Sequence, residues 1–258
     1  METISFIGSG HVATHLAKSF FACGYVVVDI YSRTPEHARQ LAAQVNAHTA
    51  RHTSSLRPAD VYIIAVNDHA IPQVAQQLPL MQSLVLHTAG PVDMSALQKF
   101  PNHGVLYPLQ TLNRARETDF RTVPFFIEAN IRKNYNIIRR LAKSLSENVS
   151  ELNSESRARL HLAAVFAGNF VNSLLGVACD LAGEQFKYLK PLVEETVKKA
   201  FAGSHPAEVQ TGPARRGDET SINKHIKSLS LHPEWQTIYR LLTENIIKQA
   251  AHAAQTRL

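Results

Sequence analysis

The chain opens on a compact apolar run, Ile4-Ser5-Phe6-Ile7, which reads as a buried strand. A glycine-containing turn follows, and then apolar positions at helical spacing, Leu16, Ala17, Phe20 and Phe21, closed by Gly24. A second apolar run, Val26-Val27-Val28-Asp29-Ile30-Tyr31, predicts the next strand. The alternation continues. Residues 35–45 read as a helix with Pro35 at its start, 60–66 as a strand with a continuous apolar run, and Ile71, Val74 and Leu78 as the face of a helix. Further strands are predicted at 83–87, 104–107, 123–128 and 149–152, with a helix over 131–145. From Asn153 onward the pattern is helical only: 154–181 with Ser154 as N-cap, 184–201, 220–229 and 234–254, interrupted by a loop at 210–218.

Strands alternating with helices predict an α/β fold with a doubly wound parallel sheet over residues 1–152. A smaller all-helical domain follows over 153–258. In such sheets ligands bind at the carboxyl ends of the strands. The first of those ends is Gly8-Ser9-Gly10-His11-Val12-Ala13, a G-x-G-x-x-A turn between strand and helix. Gly8 allows the tight turn, Gly10 lets the backbone approach a pyrophosphate, and Ala13 lets the helix pack closely on the sheet. The helix N-terminus presents N–H groups to the phosphates. This is the layout of a Rossmann dinucleotide-binding unit. Val66 and Asn67, at the end of the third predicted strand, open onto the same crevice.

The second strand ends in Ser32-Arg33-Thr34. An NAD site usually has Asp or Glu here, whereas small polar residues with an arginine suit the 2′-phosphate of NADP. Arg33 is therefore the expected phosphate ligand, helped by Ser32 and Thr34, and NAD is the less favoured cofactor. Asp29 is near the usual acidic position but is placed inside the strand.

Composition narrows the remaining classes. The 258 residues carry a net charge of +6 with basic residues scattered, so no nucleic-acid partner is expected. Cys23 and Cys179 lie far apart in apolar helical surroundings and read as buried, unpaired thiols of a cytoplasmic protein. His48 and His52 are four apart but without a carboxylate between them, and no metal site is expected. Met1-Glu2 leads directly into the first strand, so no secretory leader is expected. Residues 161–179 carry no formal charge and approach the length of a membrane span. Asn169, Asn172 and Ser173 within them favour a buried helix of a soluble helical domain instead.

Taken together, the motifs resemble the Rossmann-like bacterial family whose C-terminal part is domain of unknown function 2520. The resemblance is carried by the glycine turn, Tyr31-Ser32-Arg33-Thr34, Ala65-Val66-Asn67-Asp68 and His87-Thr88-Ala89-Gly90. It extends through Tyr107-Pro108-Leu109-Gln110-Thr111, the helical run from His161 to Phe170, and Thr211-Gly212-Pro213-Ala214-Arg215-Arg216-Gly217-Asp218. It implies an NADP-dependent oxidoreductase with no assigned substrate, similar in layout to pyrroline-5-carboxylate reductase and the 6-phosphogluconate dehydrogenase superfamily. In those enzymes the helical domain commonly builds a homodimer. The β-hydroxyacid dehydrogenases carry a catalytic lysine one turn before an asparagine on the first long helix. Here Asn169 is preceded at that spacing by Val165, and there is no lysine between Lys143 and Lys187.

Candidate chemistry lies at the strand ends and in the helical half. His87 either donates a proton to a carbonyl or imine or anchors the loop at 88–90. Tyr107 and Gln110 either orient substrate or anchor theirs. His161, Val165, Asn169 and Asn172 share a helical face by spacing, where His161 and Asn169 contact substrate or pair across an interface. Arg216 is a clamp for a carboxylate or phosphate with Asp218 holding its guanidinium, or the two form an internal ion pair. The reading is an NADP(H)-dependent oxidoreductase for a small carbonyl, imine or hydroxy compound, anionic ones included. The alternative is an NADP(H)-binding sensor without turnover.

Overall fold

The computed structural model describes residues 2–113, 116, 118–203 and 205–255. Its first unit is built on an eight-stranded sheet in the order β3-β2-β1-β4-β5-β6-β7-β8. The strands are β1 (Thr3–Ile7), β2 (Val26–Tyr31), β3 (His48–Ala50), β4 (Val61–Ile64), β5 (Leu84–His87), β6 (His103–Pro108), β7 (Phe125–Ala129) and β8 (Val149–Glu151). Among the described residues four α-helices connect them: α1 (His11–Ala22), α2 (Pro35–Gln44), α3 (Ile71–Gln77) and α4 (Arg132–Leu145).

Alternating side chains on the strands feed two separate cores. Ile4, Phe6, Val61 and Ile63 face one side, where Leu16 and Phe20 of α1, Leu41 of α2 and Ile138 and Leu141 of α4 pack. Ile7, Tyr62, Ile64 and Val85 face the other, against Ile71 and Ala75 of α3 with Leu97 and Phe100. The helix buries Ala13, Leu16, Ala17 and Phe20 because they recur at three- and four-residue spacing.

Two features depart from the expected parallel sheet. β7 runs antiparallel to β6. The connection between them contains a 3-10 turn, Phe120–Thr122, and no α-helix among the described residues. A parallel return needs a crossover of that kind, so the chain comes back alongside instead. The short edge strand β3 was expected to be loop; of its three residues only Ala50 is buried, so it has no apolar run to mark it.

Past the sheet, α5 (Ser154–Ala164) runs without a break into a π-helical stretch, Val165–Phe170, and then α6 (Val171–Ala182). The N-cap of α5 is Asn153, whose side chain accepts from the Ser156 N–H at 2.9 Å. Ser154, the expected cap, instead donates its hydroxyl to Glu128 at 2.8 Å. The sheet ends at Glu151, but the first compact unit continues to Phe170 and the second spans Val171–Leu258. The extension comes from α5, which is tied to the strand ends by Arg157 (below).

The second unit contains α6, α7 (Lys190–Ala200), α8 (Pro213–Arg216), α9 (Glu219–Ser228) and α10 (Pro233–Gln255). His225 and Tyr239 join α9 to α10 at 2.8 Å. No residue of α6, α7 or α9 is buried. Leu174, Leu181, Leu192, Leu241 and Ile247 are all exposed, and Phe201 is 86% exposed. The helix expected to be buried over 161–179 is therefore open on one chain, with Leu162, Phe166 and Phe170 also exposed. By length and composition alone the helical run Ser154–Ala200 would suffice to cross a membrane, which is weak evidence of one. Cys23 and Cys179, expected to be buried, are both exposed and free.

Candidate functional site

A cavity of about 850 Å³ opens at the carboxyl ends of β1, β2 and β4. Gly8, Ser9, Gly10, His11 and Val12 line it, with Ser32, Arg33 and Thr34 on one side and Val66 and Asn67 on the other. Gly8 has φ +125°, and a Cβ there would lie 2.1 Å from the Ala65 carbonyl oxygen. Only glycine lets β1 leave the sheet against β4 at this point. A Cβ on Gly10 would meet nothing within 4 Å, so the space in front of it is open. No side chain caps α1, and its first-turn N–H groups are available to an anion. Ala13 is fully buried and packs into the core rather than lining the cavity.

The Ser9 hydroxyl donates to Ser32 Oγ at 2.8 Å and so ties the first strand exit to the second. Arg33 is exposed at the rim, and among the described residues no acid pairs with it. Asp29 is buried to 2% and is held by Arg57. The carboxylate that an NAD site would present is thus engaged elsewhere, and the charged group that the end of β2 turns to the cavity is a cation. An anionic dinucleotide with a 2′-phosphate fits this donor set.

His37, Asp68 and His69 also line the cavity. Asp68 and His69 directly follow the strand end identified from sequence, and His37 is the third residue of α2. Helical spacing from Thr34 was the available signal for it.

A second cluster forms around the ends of β5 and β6. Tyr107 lies near the end of β6, and its hydroxyl is 3.0 Å from His161 Nδ1 on α5. The two rings meet edge to face with centroids 6.1 Å apart. Burial pushes the Tyr107 phenol up to about 12, Asp68 pushes in the same direction, and the positive charge of Arg157 opposes them. His161 packs against Gly90, where a Cβ would come within 2.6 Å of its Nδ1. Sequence reading named His161, Tyr107 and the residues around Gly90 separately; the fold brings them together.

His87 is fully buried and does not line the nucleotide cavity. Its Nδ1 accepts from the Ala89 N–H at 3.2 Å. Burial, followed by the charge of Arg157, depresses it to about 3, so the ring is neutral. Its Nε2 is buried without a hydrogen-bond partner among the described residues. Gln110 turns its amide oxygen back onto its own loop, accepting from the Thr111 N–H at 2.8 Å.

The expected face of His161, Val165, Asn169 and Asn172 does not survive as a row. The π-helical stretch Val165–Phe170 takes more residues per turn, so three- and four-residue spacings across it no longer stack. Asn169 is exposed within that stretch.

Arg216 and Asp218 lie in the second unit. Among the described residues no ion pair joins them. Asp218 instead caps α9, accepting from the Ser221 N–H at 3.0 Å and from its hydroxyl at 2.6 Å. Those bonds hold its carboxyl below the usual range, with Arg216 contributing only through space. Asp218, expected to hold the Arg216 guanidinium, is instead a helix cap, because Ser221 stands three positions after it, the spacing a cap needs. Gly212 (φ +99°) and Gly217 (φ +68°) bracket the short helix α8 between them.

Comparisons with known proteins show the family and the fold. A family model described as NADP oxidoreductase, coenzyme F420-dependent, matches residues 3–91, and one described as domain of unknown function 2520 matches residues 123–246. No curated protein matches the chain. A crystal structure from Bacteroides fragilis, described only provisionally as an NADP oxidoreductase, is 37% identical. The match covers 96% of this chain and 98% of that one, with a TM-score of 0.89. A reductive aminase from Aspergillus terreus in complex with NADPH and ethyl-5-oxohexanoate shares the fold at 14% identity and TM-score 0.70, covering 99% and 94% of the two chains. A pyrroline-5-carboxylate reductase from Coxiella burnetii does so at 16% identity and TM-score 0.53, covering 97% and 98%.

Proposed function

Because the chain belongs to the NADP oxidoreductase family that carries domain of unknown function 2520 in its C-terminal part, we propose that its substrate is a small carbonyl, imine or hydroxy compound. It is an NADP-dependent oxidoreductase. The residues at 8–12 hold the pyrophosphate by backbone N–H groups, and Ser32, Arg33 and Thr34 hold the 2′-phosphate. The cofactor, when bound, supplies or accepts the hydride.

The chain's own chemical task is proton handling, and the observation that carries the proposal is the Tyr107–His161 contact. The Tyr107 hydroxyl gives its proton to the substrate oxygen or nitrogen as the adjacent carbon is reduced. His161, carrying protons on both ring nitrogens, returns one from Nδ1, 3.0 Å away, to the phenolate oxygen and takes its replacement from solvent. A phenol pushed up to about 12 stays protonated at neutral pH and releases its proton only to a strongly basic heteroatom. Asp68, which both lines the nucleotide cavity and acts on Tyr107, links the two clusters. This tyrosine–histidine pair stands in place of the missing lysine.

Absorbance at 340 nm, following NADPH consumption across keto acids, aldehydes and cyclic imines, tests the proposal. Turnover of one class, lost in Tyr107→Phe while NADPH still binds, supports it. Tight NADPH binding without turnover on any of them supports the non-catalytic sensor instead.

The exposed apolar side chains of α6, α7 and α10 point to a second copy as their cover, giving a cytoplasmic homodimer built through the helical part.

A further inference from the structure

Arg157 is fully buried one turn before His161 on α5, and the chemistry above does not use it. Burying a guanidinium is unfavourable unless every donor is engaged. Here Nε donates to the Gly90 carbonyl at 3.2 Å, and one terminal nitrogen forms an ion pair with Glu128 of β7. The other donates to the Val92 carbonyl at 2.6 Å and to Ser154 Oγ at 3.1 Å. Glu128 is fixed in turn by the Ser154 N–H at 3.0 Å and its hydroxyl at 2.8 Å. Ser154 Oγ also accepts from the Met94 N–H at 3.0 Å.

This network joins three elements: the start of α5, the exit loop of β5 and the end of β7. Two of them meet again at His161, whose ring lies on α5 and presses against Gly90 of that exit loop. The distance from His161 to Tyr107 is therefore set by how α5 is docked on the loop, and Arg157 is the side chain that docks it. We propose that Arg157 is the positioning residue that seats His161 against Gly90 and within hydrogen-bond reach of Tyr107. This rests on the assignment of Tyr107 and His161 as the proton-handling pair. It adds that their alignment is imposed from beneath by a planar cation bound to four acceptors. Lysine cannot reproduce that hold, since its three donors radiate from one nitrogen.

The test needs no substrate. The full chain is labelled with ¹⁵N in histidine and ¹³Cζ in tyrosine, with His161→Gln and Tyr107→Phe spectra assigning the signals. The wild type is expected to show one fixed His161 tautomer and a Tyr107 titration raised to about 12. Arg157→Lys keeps the charge, so any change reports position. The expected result is a mixture of His161 tautomers and a Tyr107 titration that falls toward the ordinary value of about 10. NADPH affinity should stay within about twofold, since Arg157 lines no part of the nucleotide cavity. If Arg157→Lys does not fold, Ser154→Ala carries the test. It removes one of the four acceptors without changing charge or the Asn153 cap, and should give the same changes in smaller degree. A folded Arg157→Lys with the wild-type tautomer and titration overturns the proposal, as does a wild-type Ser154→Ala where the lysine variant is unfolded. Neither readout involves turnover, so an absent substrate and a displaced His161 register separately.

Discussion

Arg57 holds Asp29 at two points: its backbone N–H reaches Oδ2 at 2.6 Å and its Nε reaches Oδ1 at 2.9 Å. The carboxylate is thereby fixed inside the protein, 2% exposed, and does not line the cavity. Arg33 is left as the charged group at the end of β2 that faces the cavity. Arg33→Ala should therefore weaken NADPH binding and leave NADH binding nearly unchanged. A lost charge-assisted contact of about 1.5–3 kcal/mol corresponds to roughly 10- to 100-fold in Kd. Fluorescence titration with both nucleotides checks this. Equal weakening for both would place Arg33 away from the 2′-phosphate.

Gly8 and Gly10 stand two residues apart but should fail differently. Alanine at Gly8 forces a side chain onto a backbone of φ +125° and drives its Cβ to within 2.1 Å of the Ala65 oxygen. The fold itself should lose about 3 kcal/mol, with cofactor binding lost as a consequence. Alanine at Gly10 meets ordinary backbone (φ −73°) and open space, so urea denaturation should move by less than about 0.5 kcal/mol. Its NADPH affinity should still fall by roughly tenfold or more, because the methyl group occupies the pyrophosphate's approach. Normal NADPH binding by the Gly10 variant would place the phosphates elsewhere.

The helical part should be covered by a second copy. Phe166 is 62% exposed and stacks edge to face on Phe170, 4.9 Å between centroids, on a helix that has few charged residues to hold it in water. Light scattering at micromolar concentration should show a dimer. Phe166→Asp should shift it toward monomer, since a carboxylate in an apolar interface is left unpaired. A wild-type monomer would leave these side chains in need of a different cover.

The nucleotide half was legible because its signals are local. A continuous apolar run marks a central strand, and the spacing of Gly8, Gly10 and Ala13 is a backbone requirement written directly in residue types. The antiparallel β7 was not legible, because the lack of a crossover helix among the described residues is an absence that apolar patterning does not announce. The candidate acid pair was half legible: Tyr107 and His161 each stood out, but 54 residues separate them and only the docking of α5 brings them together. Arg157 was invisible. Nothing in a helix reading Ser-Glu-Ser-Arg-Ala-Arg distinguishes the buried Arg157 from the exposed Arg159 two positions later. The π-helical stretch was also hidden, and it undid the face inferred for Asn169.

His87 makes the stability of the first unit pH-dependent in a defined window. Its folded value is depressed to about 3, against an ordinary value of 6.5. Above pH 6.5 the ring is neutral in both the folded and the unfolded chain, and its contribution is intact. As pH falls below 6.5 the unfolded chain takes up a proton that the folded chain refuses. Stability then drops by about 1.4 kcal/mol per pH unit, and the loss continues toward pH 3. Between pH 6.5 and 5 this one group should cost about 2 kcal/mol. The carboxylates of Asp60 and Asp93 have lowered values and act only below the ordinary carboxylate range, so they do not confuse the interval. His87→Asn keeps an acceptor for the Ala89 N–H but cannot titrate. Urea denaturation at pH 6.5 and pH 5 should show the wild type losing about 2 kcal/mol more than this variant. Equal losses would mean that His87 takes up its proton in the folded state, in which case it is accessible enough to serve as an acid.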